Sequence, residues 1–407
     1  MNGVNMKILI LVESLKVKGG SEKFAANLGT KLYENDYDVS FLTLMDLNPK
    51  HHFKGNYYTL NEDDIYANVF KRSFDLFRYA PKITRLCEEQ GIETIISVSE
   101  VANFHAVLSR YLYGNKVRII ATQHINPEIF LNSPLKSNLI KFFYPRADKT
   151  VCVSRDIERV LNEKYGITNT EMIYNMMNLN ENIRLSQEKL PDEYEKLFDD
   201  GNFNFINVGR LTRQKGQWFL IRSFRKLVDK HPNGRLFIIG DGDLKDKLKT
   251  LINRLNLNNH VFLLGEQENI FPFLKNSHCF TFTSLWEGFG LVLTEALSLN
   301  LPVISTDCKS GPREVLCPEL DLGEKIEYPY FGEYGILTEL FPDKLIFEDI
   351  NQIPLIEPES MLADLMIKLV ENPGLRKNYS QGQDLAKIFN DDKIINQWTK
   401  ILKDLTI

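Results

Sequence analysis

Cysteine is scarce. Cys87, Cys152, Cys279, Cys308 and Cys317 are the only five in 407 residues, with no Cys-x-x-Cys pair and no metal spacing with histidine. That excludes a disulfide framework or a zinc module. Cys87, Cys152 and Cys279 stand in apolar stretches and read as small core residues, and an odd, unpaired set fits a reducing compartment. Long apolar runs are missing too: nothing reaches the roughly 18 residues a spanning helix needs. Met6–Val12 is too short for a signal core and runs straight into a glycine loop, which points to a cytoplasmic chain. Basic charge is not in excess, with 49 Lys and Arg against 54 Asp and Glu and a net charge of −5, which argues against a general nucleic-acid binder. The dinucleotide fingerprint Gly-x-Gly-x-x-Gly is absent. Asp241-Gly-Asp243, the one Asp-x-Asp at a strand end, reads as a turn before a helix, where a first-turn aspartate complements the dipole.

What is present is a globular composition, 43% hydrophobic and 25% charged, in a chain long enough for two domains. Apolar runs alternate with helical periodicity, a βαβ pattern that predicts an α/β chain of parallel sheets. In the first half Lys7–Val12, Asp38–Leu44, Thr94–Val98, Val117–Thr122, Thr150–Val153 and Glu171–Asn175 read as strands. A helix carrying Phe24, Leu28 and Leu32 follows Gly19-Gly20, with Ser21 as its expected N-cap. The second half repeats the plan at Phe203–Val208, Arg235–Gly240, His260–Leu264, His278–Thr283, Pro302–Thr306 and Tyr334–Leu337. The tail places Ile394, Ile395, Trp398, Ile401 and Leu402 on one helical face.

The chain is organised around Ser284-Leu-Trp-Glu-Gly-Phe-Gly-Leu-Val-Leu-Thr-Glu-Ala-Leu297. A strand, a glycine turn and a helix start present free backbone N–H groups to an anion, and glycine lets a ligand approach the main chain. Glu287 before the turn and Glu295 within the helix would accept bonds from hydroxyls. Glu295 is flanked by Leu291, Val292, Leu293, Ala296 and Leu297, so its carboxylate needs partners. Amides for a phosphate beside carboxylates for hydroxyls suit a sugar nucleotide.

This stretch, with Leu301–Leu316 after it and Asn207-Val-Gly-Arg-Leu-Thr-Arg-Gln-Lys-Gly216 before it, resembles the donor site of family 4 retaining glycosyltransferases. The likeness is strong over roughly 203–316 and looser in the N-terminal half. It implies the GT-B fold: an acceptor-binding domain at 1–182 facing, across a cleft, a donor-binding domain at 200–387, with a C-terminal helix at about 388–407 crossing back to the first. Residues 186–201 read as an acidic linker with a short helix.

The resemblance implies the site. Arg210 and Lys215 would hold the diphosphate as two fixed cations, together with the amides of Gly288, Phe289, Gly290 and Leu291, so that charge is stabilised without metal or cofactor. Glu287 would bind donor-sugar hydroxyls, Glu295 the ribose, and the turn at Glu266 and Gln267 the nucleobase. Gly19, Gly20 and His124 would face the donor from the first domain. Catalytic roles fall on Glu287, His124, Arg210 and Lys215. The expected activity is retaining transfer of a hexose or N-acetylhexosamine from a nucleoside-diphosphate sugar, with UDP favoured. The acceptor would be a hydroxyl of a cell-envelope glycan or a polyprenyl- or lipid-linked glycan. A non-catalytic partner subunit of the same fold and a sugar-nucleotide epimerase are the alternatives. Residues 101–150 carry seven Lys and Arg against two Asp and Glu. Within them the aromatic, basic segment 130–149 reads either as a peripheral contact with the anionic inner face of the plasma membrane or as an ordinary amphipathic helix with a solvated basic face.

Overall fold

The structure, a computed structural model, describes residues 6–16, 19–45, 49, 51–60, 69–130, 133–198 and 201–405. Leu131 of the basic, aromatic segment lies outside them. The chain divides into two compact units, residues 1–176 with 391–407, and residues 177–390.

In the first unit β1 (Lys7–Val12), β2 (Asp38–Thr43), β3 (Asn56–Thr59), β4 (Thr94–Val98), β5 (Arg118–Gln123), β6 (Lys149–Cys152) and β7 (Thr170–Met172) form one sheet in the order β3-β2-β1-β4-β5-β6-β7. Every pairing is parallel. The central strands are buried along almost their whole length, as expected of strands covered on both faces. β3, half-buried and polar, has no apolar run to announce it. Helix α1 (Gly20–Glu34) buries Phe24, Leu28 and Leu32 at the expected spacing, but Ser21 is not its cap. The cap position is Gly19, and the Ser21 hydroxyl donates to Glu22 Oε2 at 2.9 Å. The C-terminal helix Asp391–Asp404 belongs to this unit: Ile394, Ile395, Trp398, Ile401 and Leu402 join the core of α1 and β1. Lys31 pairs with Asp391 at 2.7 Å, and Arg118 Nη1 donates to Leu405 O at 2.8 Å.

The second unit repeats the plan with β8 (Phe203–Val208), β9 (Gly234–Ile239), β10 (Val261–Gly265), β11 (Cys279–Phe282), β12 (Val303–Thr306), β13 (Tyr330–Phe331) and β14 (Ile336–Thr338), in the order β10-β9-β8-β11-β12-β14-β13. Only β13, at the edge, runs antiparallel. Residues 177–198 fold with this unit, and the short helix expected within 186–201 is Asp192–Glu195. Asn182 Nδ2 donates to Ser298 Oγ at 3.2 Å, and the Phe198 ring stacks on Phe237 at 4.0 Å. All five cysteines are buried and free.

Candidate functional site

In both sheets the strand order reverses direction between the first strand and the fourth, β1 and β4 in one, β8 and β11 in the other. Loops leaving neighbouring strands on either side of such a reversal diverge to opposite faces and leave a crevice at the carboxyl edge. In the second unit β8 and β11 share only two register pairs, Phe205 with Cys279 and Ile206 with Phe280. Beyond them the buried Asn207 side chain continues the connection, donating to Thr281 O at 2.7 Å. The strand ends then part.

The loops that follow are tied together. Thr283 Oγ1 donates to Lys215 O at 2.9 Å, Leu285 N to Gln214 O at 2.7 Å, and Gln214 Nε2 to Trp286 O at 2.9 Å. Between them lies the ion pair of Lys215 Nζ with Glu287 Oε1 at 2.6 Å, joining residues 72 apart in sequence. The Lys215 ammonium also sits 5.3 Å from the Phe282 ring centroid. Its side chain is only 15% exposed, so this cation is fixed rather than solvated. A third loop, after β12, braces the other side: Glu287 N donates to Lys309 O at 2.8 Å and Ser310 N to Glu287 O at 2.9 Å.

Past Glu287 the chain turns through Gly288 and the buried Phe289 to Gly290, whose φ of +81° caps the helix Leu291–Ser298. The first amides of that helix have no intrahelical acceptor. Glu295, 7% exposed like Glu287, lies within it. Arg210 is exposed and forms no ion pair among the described residues, so Lys215 and Glu287 are joined directly and Arg210 to neither. Glu266 is exposed after β10; Gln267 donates to Leu264 O at 2.8 Å. Asp241 is engaged in its own turn, accepting from Gly242 N at 2.7 Å and Lys245 Nζ at 2.6 Å, and Lys245 holds its carboxyl below the usual range. Among the described residues no three His, Cys, Asp or Glu side chains converge as metal ligands.

The first unit holds the remaining candidates. Gly19 and Gly20 open α1, and the Glu22 carboxylate folds back over them: a Cβ on Gly19 would stand 2.2 Å from Glu22 Oε2. His124 follows β5, with its ring edge-to-face on Phe24 at 4.6 Å. Thr122 Oγ1 donates its single hydrogen to Ser97 O at 2.9 Å, so the 2.8 Å contact with His124 requires Nε2–H to donate to the hydroxyl. That leaves Nδ1 as an acceptor. Burial pushes the imidazole pKa down to about 3, so the ring is neutral at physiological pH.

Asn207, Gln214, Lys309 and Ser310 hold the site in shape; they fall within the segments 207–216 and 301–316, but their residue types do not single them out there. A local cue is Gly311-Pro312, a helix start after β12 that marks another loop at the same edge.

Comparison with known proteins gives two family matches, Glycosyltransferase Family 4 over residues 18–181 and Glycosyl transferases group 1 over residues 190–321. An uncharacterized glycosyltransferase of Methanocaldococcus jannaschii is 46% identical over 345 residues, 82% of this chain and 84% of that protein. The N-acetylgalactosamine-N,N'-diacetylbacillosaminyl-diphospho-undecaprenol 4-alpha-N-acetylgalactosaminyltransferase of Campylobacter jejuni is 29% identical over 334 residues, 79% of this chain and 80% of that protein. Among solved structures, Anabaena HepE in complex with UDP-glucose aligns with TM-score 0.73 at 21% identity, over 98% of this chain and 100% of that one. Sucrose-phosphate synthase from Thermosynechococcus elongatus aligns with TM-score 0.79 at 17% identity, over 98% and 99%.

Proposed function

The chain belongs to the family 4 glycosyltransferases, and we propose that its second unit takes a nucleoside-diphosphate sugar, UDP-linked, at the Lys215–Glu287 crevice. The enzyme moves a hexose or N-acetylhexosamine to a hydroxyl of a cell-envelope glycan or lipid-linked acceptor, with retention and without a metal. The observation that carries this reading is the buried ion pair at the switch point of the second sheet. A fixed cation beside free helix amides suits a diphosphate, and a carboxylate at the same place suits sugar hydroxyls. The HepE complex with UDP-glucose supports the donor class, and the Campylobacter relative, named for a diphospho-undecaprenol substrate, supports the acceptor class.

In the free site Lys215 is neutralised by Glu287. An arriving diphosphate competes for that ammonium and releases the Glu287 carboxylate toward the donor sugar. As the bond from the anomeric carbon to the phosphate oxygen breaks, negative charge grows on the leaving nucleotide. Lys215, Arg210 and the amides of Gly288 to Leu291 stabilise it, a role other enzymes give to a metal ion. The acceptor oxygen bonds to the anomeric carbon on the face the phosphate leaves, and its proton passes to a phosphate oxygen. Glu287 orients hydroxyls and stabilises positive charge on the sugar ring, Glu295 takes the ribose, and Glu266 and Gln267 border the base. In the first unit Gly19 and Gly20 open α1 toward the ligand, and His124 accepts a hydroxyl hydrogen at Nδ1; a neutral ring of such low pKa is no general acid.

The test is a thermal-shift screen against UDP, GDP, ADP and UDP-sugars in EDTA, because a ligand selective for the native state raises its melting temperature. The expected result is stabilisation by UDP and one UDP-sugar, with that sugar then transferred and its anomeric configuration kept by NMR. Stabilisation by GDP or ADP alone overturns the uridine assignment, an inverted product the retention. Activity lost in EDTA and restored by a divalent cation overturns metal independence.

A further inference from the structure

Helix α4 (Pro134–Phe143), which follows α2 (Val69–Gln90) and α3 (Glu100–Tyr113), is apolar on two sides. Ile140 and Phe143 are buried within the unit. On the outer side Leu135, Leu139 and Phe142 recur at i, i+4 and i+7, with Leu135 72% and Phe142 40% exposed. At about 100° per residue, Lys136 and Lys141 flank this stripe on its two sides. The patch continues beyond the helix. The Tyr111 ring, 60% exposed at the end of α3, meets Phe142 edge-on at 5.9 Å. The Arg146 guanidinium lies over both rings, 3.9 Å from the Phe142 centroid and 5.5 Å from that of Tyr111. Among the described residues, seven of the twelve exposed large apolar side chains fall in this one stretch, residues 77–142.

A contiguous apolar surface on a folded unit marks an interaction site, and its charge selects the partner. The chain is net acidic, yet residues 101–150 hold seven Lys and Arg against two Asp and Glu. Asp148 pairs with Arg110 and Glu128 with Lys164, while Glu93 and Glu171 from outside the window take up Arg118 and Lys149, so the exposed cations at the patch are Lys136, Lys141 and Arg146. What is presented outward is Leu, Phe and Tyr ringed by cations, the arrangement of an interfacial helix whose apolar face enters the headgroup boundary while Lys and Arg meet anionic lipid. Among the described residues no helix is long and apolar enough to cross a membrane, so the contact is peripheral. We infer that the outer face of α4, with Tyr111 at the end of α3, Arg146 and the lysines of α4, is a docking surface for an anionic bilayer. Its place in the first unit makes it independent of the donor assignment.

The test is co-sedimentation of the full chain with vesicles of phosphatidylglycerol and phosphatidylcholine in equal parts, against phosphatidylcholine alone. The expected result is binding to the anionic vesicles only, weakened by salt. Lys136→Gln/Lys141→Gln/Arg146→Gln should lower it by more than about tenfold, since each charge near an anionic surface contributes several-fold. Leu135→Ser/Phe142→Ser should lower it comparably even at low salt. These side chains are exposed, so circular dichroism and the UDP-induced thermal shift are expected to stay at wild-type values, which separates failure of docking from failure of donor binding. No binding by the wild-type chain, or binding retained by both variants, overturns the inference. So does sedimentation analysis showing a self-associated chain that Leu135→Ser/Phe142→Ser converts to monomer, because a second copy would then cover the patch.

Discussion

At the carboxyl edge of the first sheet stand Glu22, folded over Gly19, and a neutral His124 fastened to Thr122; at the same edge of the second stand Lys215, Arg210 and Glu287. The strand orders of the two sheets match through their first five positions, so topology does not account for the contrast. The second edge fixes a cation and three bracing loops around a carboxylate, as an anionic ligand demands. At Glu22 and His124 the first offers an acidic and a neutral group, suited to hydroxyls. One architecture supports two chemistries because the strands set only where the loops go, and the loops carry the charge.

Breaking the second edge should have the largest effect. Glu287→Ala is expected to cut transfer by more than about a hundredfold, measured as initial rate with the donor found in the thermal screen; a variant with wild-type turnover would remove Glu287 from the site. It should also cost about 2–3 kcal/mol in denaturant unfolding, because Lys215 is left largely buried without its counterion. Adding Lys215→Met should recover part of that loss, and strict additivity would show that the pair is not coupled.

Gly311→Ala tests the third loop. Its φ is +103° and a Cβ there would lie 2.0 Å from Phe289 O, so the brace on the Glu287 turn must shift. Transfer is expected to fall by about tenfold or more while the circular-dichroism spectrum is kept; unaltered kinetics would show that the brace does not position Glu287. Lys215→Ala should weaken UDP binding in calorimetry by more than about tenfold, with Arg210→Ala, at an exposed residue without an ion pair among the described residues, having the smaller effect. The reverse order would put the phosphates on Arg210.

The smallest effect belongs to the first edge. The His124 pKa of about 3 lies below the ordinary 6.5, so the unfolded chain binds this proton more readily. Stability from the neutral ring is whole above pH 6.5 and is lost as pH falls toward 3. His124→Gln keeps a donor for Thr122 and should flatten the melting temperature between pH 7 and pH 5. An unchanged slope would mean that His124 titrates normally.

Most strands were legible because those buried on both faces are written as unbroken apolar runs, as in Lys7–Val12 and Phe203–Val208. β3 and β13 were not, since short, half-exposed edge strands need little apolar sequence. Ser21 has the residue type of a cap, but the helix begins two residues earlier than that cap implies, at Gly20 behind Gly19, and nothing local distinguishes the two starts. The acidic composition of 186–201 reads as a linker with a short helix, and that helix is Asp192–Glu195; composition does not show that Phe198 and Leu197 hold the segment to the second sheet through Phe237 and Arg235.

By itself the sequence determined the class of the molecule, two parallel α/β units, and the identity of the loops that carry its chemistry, because period, glycine turns and helix starts are local properties. Tertiary structure alone decided that Lys215 meets Glu287 and not Asp241, that Lys309 and Ser310 brace the backbone of Glu287, and that Phe142 meets Tyr111 edge-on at the surface. Each of those contacts joins segments distant in sequence, and which segments become neighbours is set by strand order, a property of the whole sheet that no window of residues contains.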